Sequence, residues 1–202
     1  MSNAEIRAVI FDMGGVLVEL GPLTDILGDD PAPAAEFWSR WLSSPVVRTF
    51  EMGRCSADEF GERLAVDLGL PFTGREMIER FRTWPKGLYP GAAELVRSID
   101  GLVEVGVLSN TNALHWATQV DHKEIRSLFT RRYLSYELGM VKPDAEIFEH
   151  VADDLALGAE SVLFFDDNQK NIDAARSVGL TAALCRGPDG ARTVLLAHGL
   201  IR

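Results

Sequence analysis

Cysteine is scarce in this 202-residue chain. Cys55 and Cys185 are the only two, they lie far apart, and they lack the spacing of a metal-ligand set, so two free thiols without a chemical role are expected rather than a disulfide. Long apolar runs are missing as well. A membrane span requires about 20 consecutive apolar residues and no stretch approaches that. The N-terminus does not show the basic-then-apolar pattern of a secretion signal, so a cytoplasmic protein with no membrane partner is the expectation. Positive charge is in the minority, with 20 Lys and Arg against 30 Asp and Glu, for a formal net charge of −10. That balance opposes nonspecific binding to nucleic acid, and it means that a small anionic substrate requires a local positive site. Internal repeats and low-complexity segments are absent.

What remains is a chain with 47% hydrophobic residues, enough to bury the core of one domain, or of one domain carrying an insertion. Short β-rich runs recur at Ile6–Phe11, Val103–Leu108, Arg132–Leu134, Ser161–Phe165 and Leu180–Cys185, and most are followed by helical periodicity. Alternating strands and helices predict an α/β, doubly wound parallel sheet covered on both faces. Residues 20–85 break that rhythm, with no convincing strand and several amphipathic stretches. Phe37, Trp38, Trp41 and Leu42 share one helical face, Phe60, Leu64 and Leu68 a second, and Met77, Ile78 and Phe81 a third. Ser56 with Glu59, and Thr73 with Glu76, have the spacing of capping boxes. The segment reads as a helical cap over the sheet, with its Trp and Phe stripes forming its own core and its contact with the sheet. The expected organisation is a catalytic core of residues 1–19 and 86–202 interrupted by a cap of residues 20–85.

In open α/β sheets ligands bind beyond the carboxyl ends of the strands, where loops converge. Polar groups stand at four such ends: Asp12 in FDMGGVL, Ser109-Asn110-Thr111 in VGVLSNTN, Lys142-Pro143 in LGMVKPDAEIF, and Asp166-Asp167 in VLFFDDNQKNIDAARSVG. Each alone is an ordinary cap or turn former. Their order along the chain carries the signal.

With these four motifs the chain resembles the haloacid dehalogenase-like hydrolase superfamily over essentially its whole length, and the insertion after the first motif is similar to that superfamily's first type of cap. Segments such as LSNTNALH and FFDDNQKNI look closest to the bacterial α-D-glucose-1-phosphate phosphatases. The resemblance implies a Rossmann-like core, a Mg²⁺ cofactor and a small phosphorylated metabolite as substrate. It assigns Asp12 the role of nucleophile, forming an aspartyl-phosphate. Asp12, Asp167, the backbone carbonyl of Gly14 and, directly or through water, Asp166 are the implied metal ligands. Ser109, Lys142 and nearby backbone N–H groups would hold the phosphoryl oxygens, with Met13, Asn110 and Thr111 beside them. Asn171 stands where the family usually has an acid and is expected to support the site without adding charge.

Gly14 is the departure from the family pattern. Two residues after the nucleophile the family usually has an Asp that protonates the leaving oxygen, and here that side chain is missing. General acid–base help contributes typically 10²–10⁴-fold and matters most for poor leaving groups. A site without it suits an activated ester such as a sugar 1-phosphate. His115 is a candidate replacement, although a local hydrogen-bonding role fits its helix position better; Glu51 and Arg54, from FEMGRCS, are candidates to face substrate from the cap. Two rival readings use the same residues: a 2-haloacid dehalogenase, which the adjacent Asp166 and Asp167 disfavour because they would repel an anionic substrate unless a cation lay between, and a noncatalytic phosphate-binding protein.

Overall fold

The computed structural model describes residues 5–28, 34–118 and 122–202. Among the described residues seven strands are formed, β1 (Ala8–Phe11), β2 (Val18–Leu20), β3 (Pro85–Leu88), β4 (Glu104–Ser109), β5 (Arg131–Leu134), β6 (Val162–Asp166) and β7 (Thr181–Leu184). Five helices lie between β2 and β3: α1 (Thr24–Leu27), α2 (Ala34–Ser43), α3 (Pro45–Glu51), α4 (Ala57–Leu68) and α5 (Gly74–Arg82). The remainder are α6 (Ala92–Arg97), α7 (Ala113–Thr118), α8 (His122–Leu128), α9 (Ser135–Leu138), α10 (Ala145–Leu155), α11 (Gln169–Ser177) and α12 (Gly187–Ala197). None of the described helices is long and apolar enough to cross a membrane.

The central sheet has the order β5-β4-β1-β6-β7 and every pairing is parallel. The five sequence-predicted strands are these five. The three inner strands read as nearly unbroken apolar runs because helices cover both sides, whereas edge strand β5 opens on Arg131 and Arg132 and buries only Tyr133 and Leu134. The pleat sorts their side chains between two cores. Val9, Phe11, Val107, Leu163 and Phe165 pack with Leu95, Val96, Ile125 and Leu195 from α6, α8 and α12. Ala8, Ile10, Leu108 and Phe164 pack with Ile147, Phe148, Val151, Ile172 and Ala175 from α10 and α11. Phe11 and Phe165 stack with ring centroids 5.2 Å apart, one residue before Asp12 and Asp166 respectively. Close packing of these rings therefore fixes where the two carboxylates start.

Helices α1–α5 build a third core from Ile26, Phe37, Trp41, Phe50, Phe60, Leu64, Met77, Phe81 and Trp84. The Thr73 hydroxyl accepts from the Glu76 N–H while the Glu76 carboxylate accepts from the Thr73 N–H, completing a capping box at α5. At α4 only half of the expected box is made. Ser56 accepts from the Glu59 N–H, and the Glu59 carboxylate turns to Arg63. The two helices approach closely where Gly61 meets Gly74; a Cβ on Gly61 would lie 2.4 Å from the Gly74 carbonyl oxygen.

Two details differ from the sequence reading. Leu20 and Pro85, at the limits of the segment read as strandless, belong to the antiparallel pair β2–β3. At three and four residues, with Pro85 and Gly87 inside, these strands have no alternation to read. Leu42, placed on the buried stripe of α2, is 46% exposed.

Candidate active site

β1 lies at the centre of the sheet, with β4 and β5 to one side and β6 and β7 to the other. The winding reverses there, and a crevice opens beyond the carboxyl ends of β1, β4 and β6. Asp12 follows β1, its N–H donating to the Phe165 carbonyl at 2.8 Å. Asp166 ends β6 and is fully buried. Lys142 arrives from the loop after α9, and its side chain is 2% exposed. Its ammonium donates to Asp12 Oδ1 at 2.8 Å, to Asp166 Oδ2 at 2.7 Å and to the Leu108 carbonyl at 3.1 Å. Three donors thus meet three acceptors.

Asp166 is fully engaged. Asn171 Nδ2 donates to both of its oxygens at 3.0 Å, and the Asn168 N–H donates to Oδ1 at 2.8 Å. Asn171 thus supports the cluster as a neutral donor. Asp167 is more open, with its side chain 31% exposed and the Arg186 guanidinium 3.9 Å away. Carboxylate oxygens of Asp12, Asp166 and Asp167 lie within 4.8 Å of one another. Three hard oxygen donors at one point fit a small divalent cation. Gly15 makes this approach possible. Its φ of 74° is a left-handed conformation, and a Cβ there would stand 2.5 Å from Asp167 Oδ2.

The electrostatics follow from burial. Removal from water, the largest influence, pushes the Asp12 carboxyl upward; Lys142 opposes that shift and Asp166 reinforces it. Burial acts to lower Lys142, yet Asp12 and Asp166 override it and keep the ammonium charged. Asp167 is raised by burial and then by Asp166. Glu51, at the end of α3, is pushed up to about 7, chiefly by burial, against the pull of Lys142.

A cleft of about 610 Å³ runs from this cluster to the helical layer. Asp12, Gly14, Glu51, Asn110, His115, Lys142, Asp166 and Asp167 line it. Other sequence-predicted residues stand elsewhere. The Met13 side chain is buried in the sheet core, as the pleat requires of a residue following Asp12. The Thr111 backbone exchanges hydrogen bonds with the Ser135 hydroxyl. Arg54 reaches the Gly139 carbonyl at 3.4 Å, away from the cleft. Ser109 is buried at the end of β4, with its hydroxyl in a 3.5 Å contact to the Asn110 carbonyl. Asn110 and Lys142 exchange side chain and backbone, Nδ2 donating to the Lys142 carbonyl and Oδ1 accepting from the Lys142 N–H, both at 2.9 Å. That pair sets the root of the lysine.

Sequence reasoning missed Arg186, Tyr89, Trp38, Trp41 and Trp84, which also line the cleft. Arg186 follows the β7 strand and was findable as a cation at a strand end. The sequence places the Trp38 and Trp41 stripe in the segment's own core and its contact with the sheet and offers no reading of Trp84; all three indoles pack with that core and line the cleft as well.

His115 is not a free proton carrier here. Its Nε2 donates to the Phe81 carbonyl at 2.7 Å, its ring lies 4.1 Å from that of Phe81, and burial pushes it down to about 4. A histidine neutral in the fold but free to charge when unfolded contributes stability above its unfolded value near 6.5, and that stability is lost as pH falls toward 4. Between pH 7 and pH 5 the native protein is expected to lose about 2 kcal/mol more than a His115→Phe variant. Urea unfolding at the two pH values checks this, and equal losses would place the imidazole in water.

The protein is similar over most of its length to characterised enzymes. It is 31% identical over 179 residues to a sesquiterpene phosphatase of Aspergillus oryzae, covering 86% of this chain and 87% of that one. It is 26% identical over 183 residues to a D-ribitol-5-phosphate phosphatase of Bacteroides thetaiotaomicron, covering 86% and 89%. In three dimensions it matches a haloacid dehalogenase family enzyme of Bacteroides thetaiotaomicron, crystallised with magnesium and inorganic phosphate, at a TM-score of 0.70 and 22% identity over 90% of this chain and 94% of that one. The haloacid dehalogenase-like hydrolase model matches residues 6–179, from the strand that delivers Asp12 through the helix that carries Asn171. Shared sequence on that scale, with the four strand-end motifs inside it, shows that the chain belongs to the haloacid dehalogenase-like hydrolase family.

Proposed function

We propose that the protein is a Mg²⁺-dependent phosphomonoester hydrolase that acts on a small phosphorylated metabolite through an aspartyl-phosphate on Asp12, with residues 20–85 serving as a cap. The observation that carries this reading is the Lys142 ammonium set between Asp12 and Asp166, with Asp167 beside them. Such a cluster repels any anion unless a cation completes it, which favours a metal-assisted phosphatase over a dehalogenase. Asp12, Asp167 and the Gly14 carbonyl would hold Mg²⁺, with Asp166 occupied in holding Lys142. When bound, the ion supplies positive charge that offsets the repulsion between carboxylate and phosphate.

Asp12 then attacks phosphorus, the bond to the alcohol oxygen breaks, and water later releases phosphate from the aspartyl group. Lys142 neutralises charge spread over the phosphoryl oxygens, and Ser109 would add a hydroxyl donor from the end of β4 on turning from its contact with the Asn110 carbonyl. The relatives are named for a sesquiterpene and for D-ribitol 5-phosphate. Leaving-group chemistry adds its own preference. Because Gly14 has no carboxyl, the departing oxygen carries more negative charge, which favours acidic leaving groups; by that criterion alone the anomeric oxygen of a sugar 1-phosphate and an aryl oxygen both qualify.

Phosphate release from aryl phosphates of graded leaving-group acidity, with and without Mg²⁺, tests both parts. Release is expected only with the ion, and the rate is expected to rise steeply as the leaving group becomes more acidic. Gly14→Asp is expected to flatten that dependence. The loop accepts the side chain, since Gly14 is outside the left-handed region and a Cβ there meets Leu20 Cδ1 at 3.4 Å, an ordinary contact. A shallow dependence in the native protein would instead assign the proton to Glu51, and Glu51→Gln would then make it steep. Release independent of Mg²⁺ would overturn the reading.

A further inference from the structure

We infer that the alcohol portion of the substrate is a hydrocarbon, bound against the helical wall of the cleft. The inference rests on the phosphatase reading for its charged end and on the opposite wall for its content. The lining there includes Leu23, Trp38, Trp41, Phe81 and Trp84, which share one apolar cluster, and Leu42. The Trp38 and Trp84 rings stack with centroids 5.7 Å apart. The one polar atom of the Trp84 ring is spent inside the fold, Nε1 donating to the Gly21 carbonyl at 2.7 Å. A single exposed leucine is unremarkable. Leu42, however, is 46% exposed and lines the same cleft as Trp38 and Leu23.

The polar lining points the same way. A polyol needs unspent donors and acceptors along its length, because a hydroxyl buried without a partner is costly. Each amide bordering this cleft has part of its hydrogen-bonding capacity committed to the protein. Asn110 is paired with the Lys142 backbone, Asn112 with the His115 backbone and ring, and Asn171 with Asp166. Gln169 Nε2 donates to Asp173 at 2.7 Å, and Asn168 Oδ1 accepts from the Lys170 N–H at 3.0 Å. The ionisable groups of the lining beyond the carboxylate cluster, Glu51, Tyr89 and Arg186, sit at the charged end, within electrostatic reach of Lys142 or Asp167. One end of the cleft therefore suits a phosphate and the other, lined by rings and leucines, an apolar body such as an alkyl, isoprenoid or aryl group.

Calorimetric titration with n-alkylphosphonates from methyl to octyl, in Mg²⁺, separates this inference from turnover because phosphonates are not hydrolysed. Each methylene laid on the wall is expected to tighten binding about three- to fourfold until the wall is covered. Trp38→Ala, and Leu42→Asn at a half-exposed position that folding tolerates, are expected to reduce that gain per methylene. As substrates, n-octyl phosphate and glucose 6-phosphate are both esters of primary alcohols, so their leaving groups are matched, and the octyl ester is expected to have a kcat/KM at least about 100-fold higher. Affinity unchanged from methyl to octyl, or a preference for glucose 6-phosphate, would overturn the inference. Failure to release phosphate from any ester would overturn the hydrolase reading, while the phosphonate series would still decide the nature of the wall.

Discussion

Asp12→Asn is expected to lose at least about 10⁴-fold in phosphate release while keeping the fold. The amide is nearly isosteric with the carboxylate, so the turn after β1 and the Phe11–Phe165 stack beneath it are undisturbed. Its nitrogen, however, has no lone pair free to attack phosphorus, and its oxygen is a poor anionic ligand. The nucleophile and a metal ligand are therefore lost in one substitution, and these losses are not additive because both act on the same step. Lys142 keeps Asp166 as a partner at 2.7 Å, so no buried cation is stranded. Parallel measurements of steady-state phosphate release and of thermal unfolding check the two halves. Retained turnover would remove the covalent route, and a collapsed melting curve would show that Asp12 is structural first.

Lys142→Ala is expected to damage both activity and stability. In the transition state the loss of one fixed positive charge beside the phosphoryl oxygens is worth on the order of 10²–10³-fold in rate. In the resting protein it leaves Asp12 and Asp166 facing one another in a buried site, and breaking a buried ion pair from one side costs about 3–5 kcal/mol. The pH dependence is diagnostic. Without the ammonium the two carboxylates relieve their repulsion by taking up a proton, so the folded variant binds more protons than its unfolded chain, and its stability falls as pH rises. The deficit relative to the native protein should thus be largest above pH 7, shrink toward pH 5, and shrink again when Mg²⁺ is added at pH 7. Chemical denaturation at these pH values, with and without the ion, provides the check. A deficit independent of both would mean that Lys142 stabilises by packing its stem, not by its charge.

Much of this protein is determined by local sequence. The inner sheet strands are legible because burial on both faces demands nearly unbroken apolar runs, and helices of the α1–α5 segment because each needs one apolar stripe and a capped end, as Thr73 and Glu76 supply. The positions of Asp12, Asp166 and Asp167 are legible for a related reason, since a polar residue at the end of a buried run must stand at the edge of the sheet; Lys142, read as a strand-end residue, instead lies in the loop after α9, eight residues beyond β5. Distances between strand ends are another matter. That Lys142 lies 2.8 Å from Asp12, 130 residues earlier, follows from β1 occupying the middle of the sheet between β4 and β6, a global packing outcome with no local signal. The pleat alone sends Met13 into the core while Asp12 opens to the crevice, and the Ser135 and Gly139 contacts that occupy Thr111 and Arg54 arise only when distant loops meet. Trp38 and Trp84 have the same aromatic character whether they fill the cap's interior or wall a cleft. Tertiary structure decides that they do both, because a helical layer packed over a crevice buries one side of its aromatic stripe and leaves the other to face whatever enters.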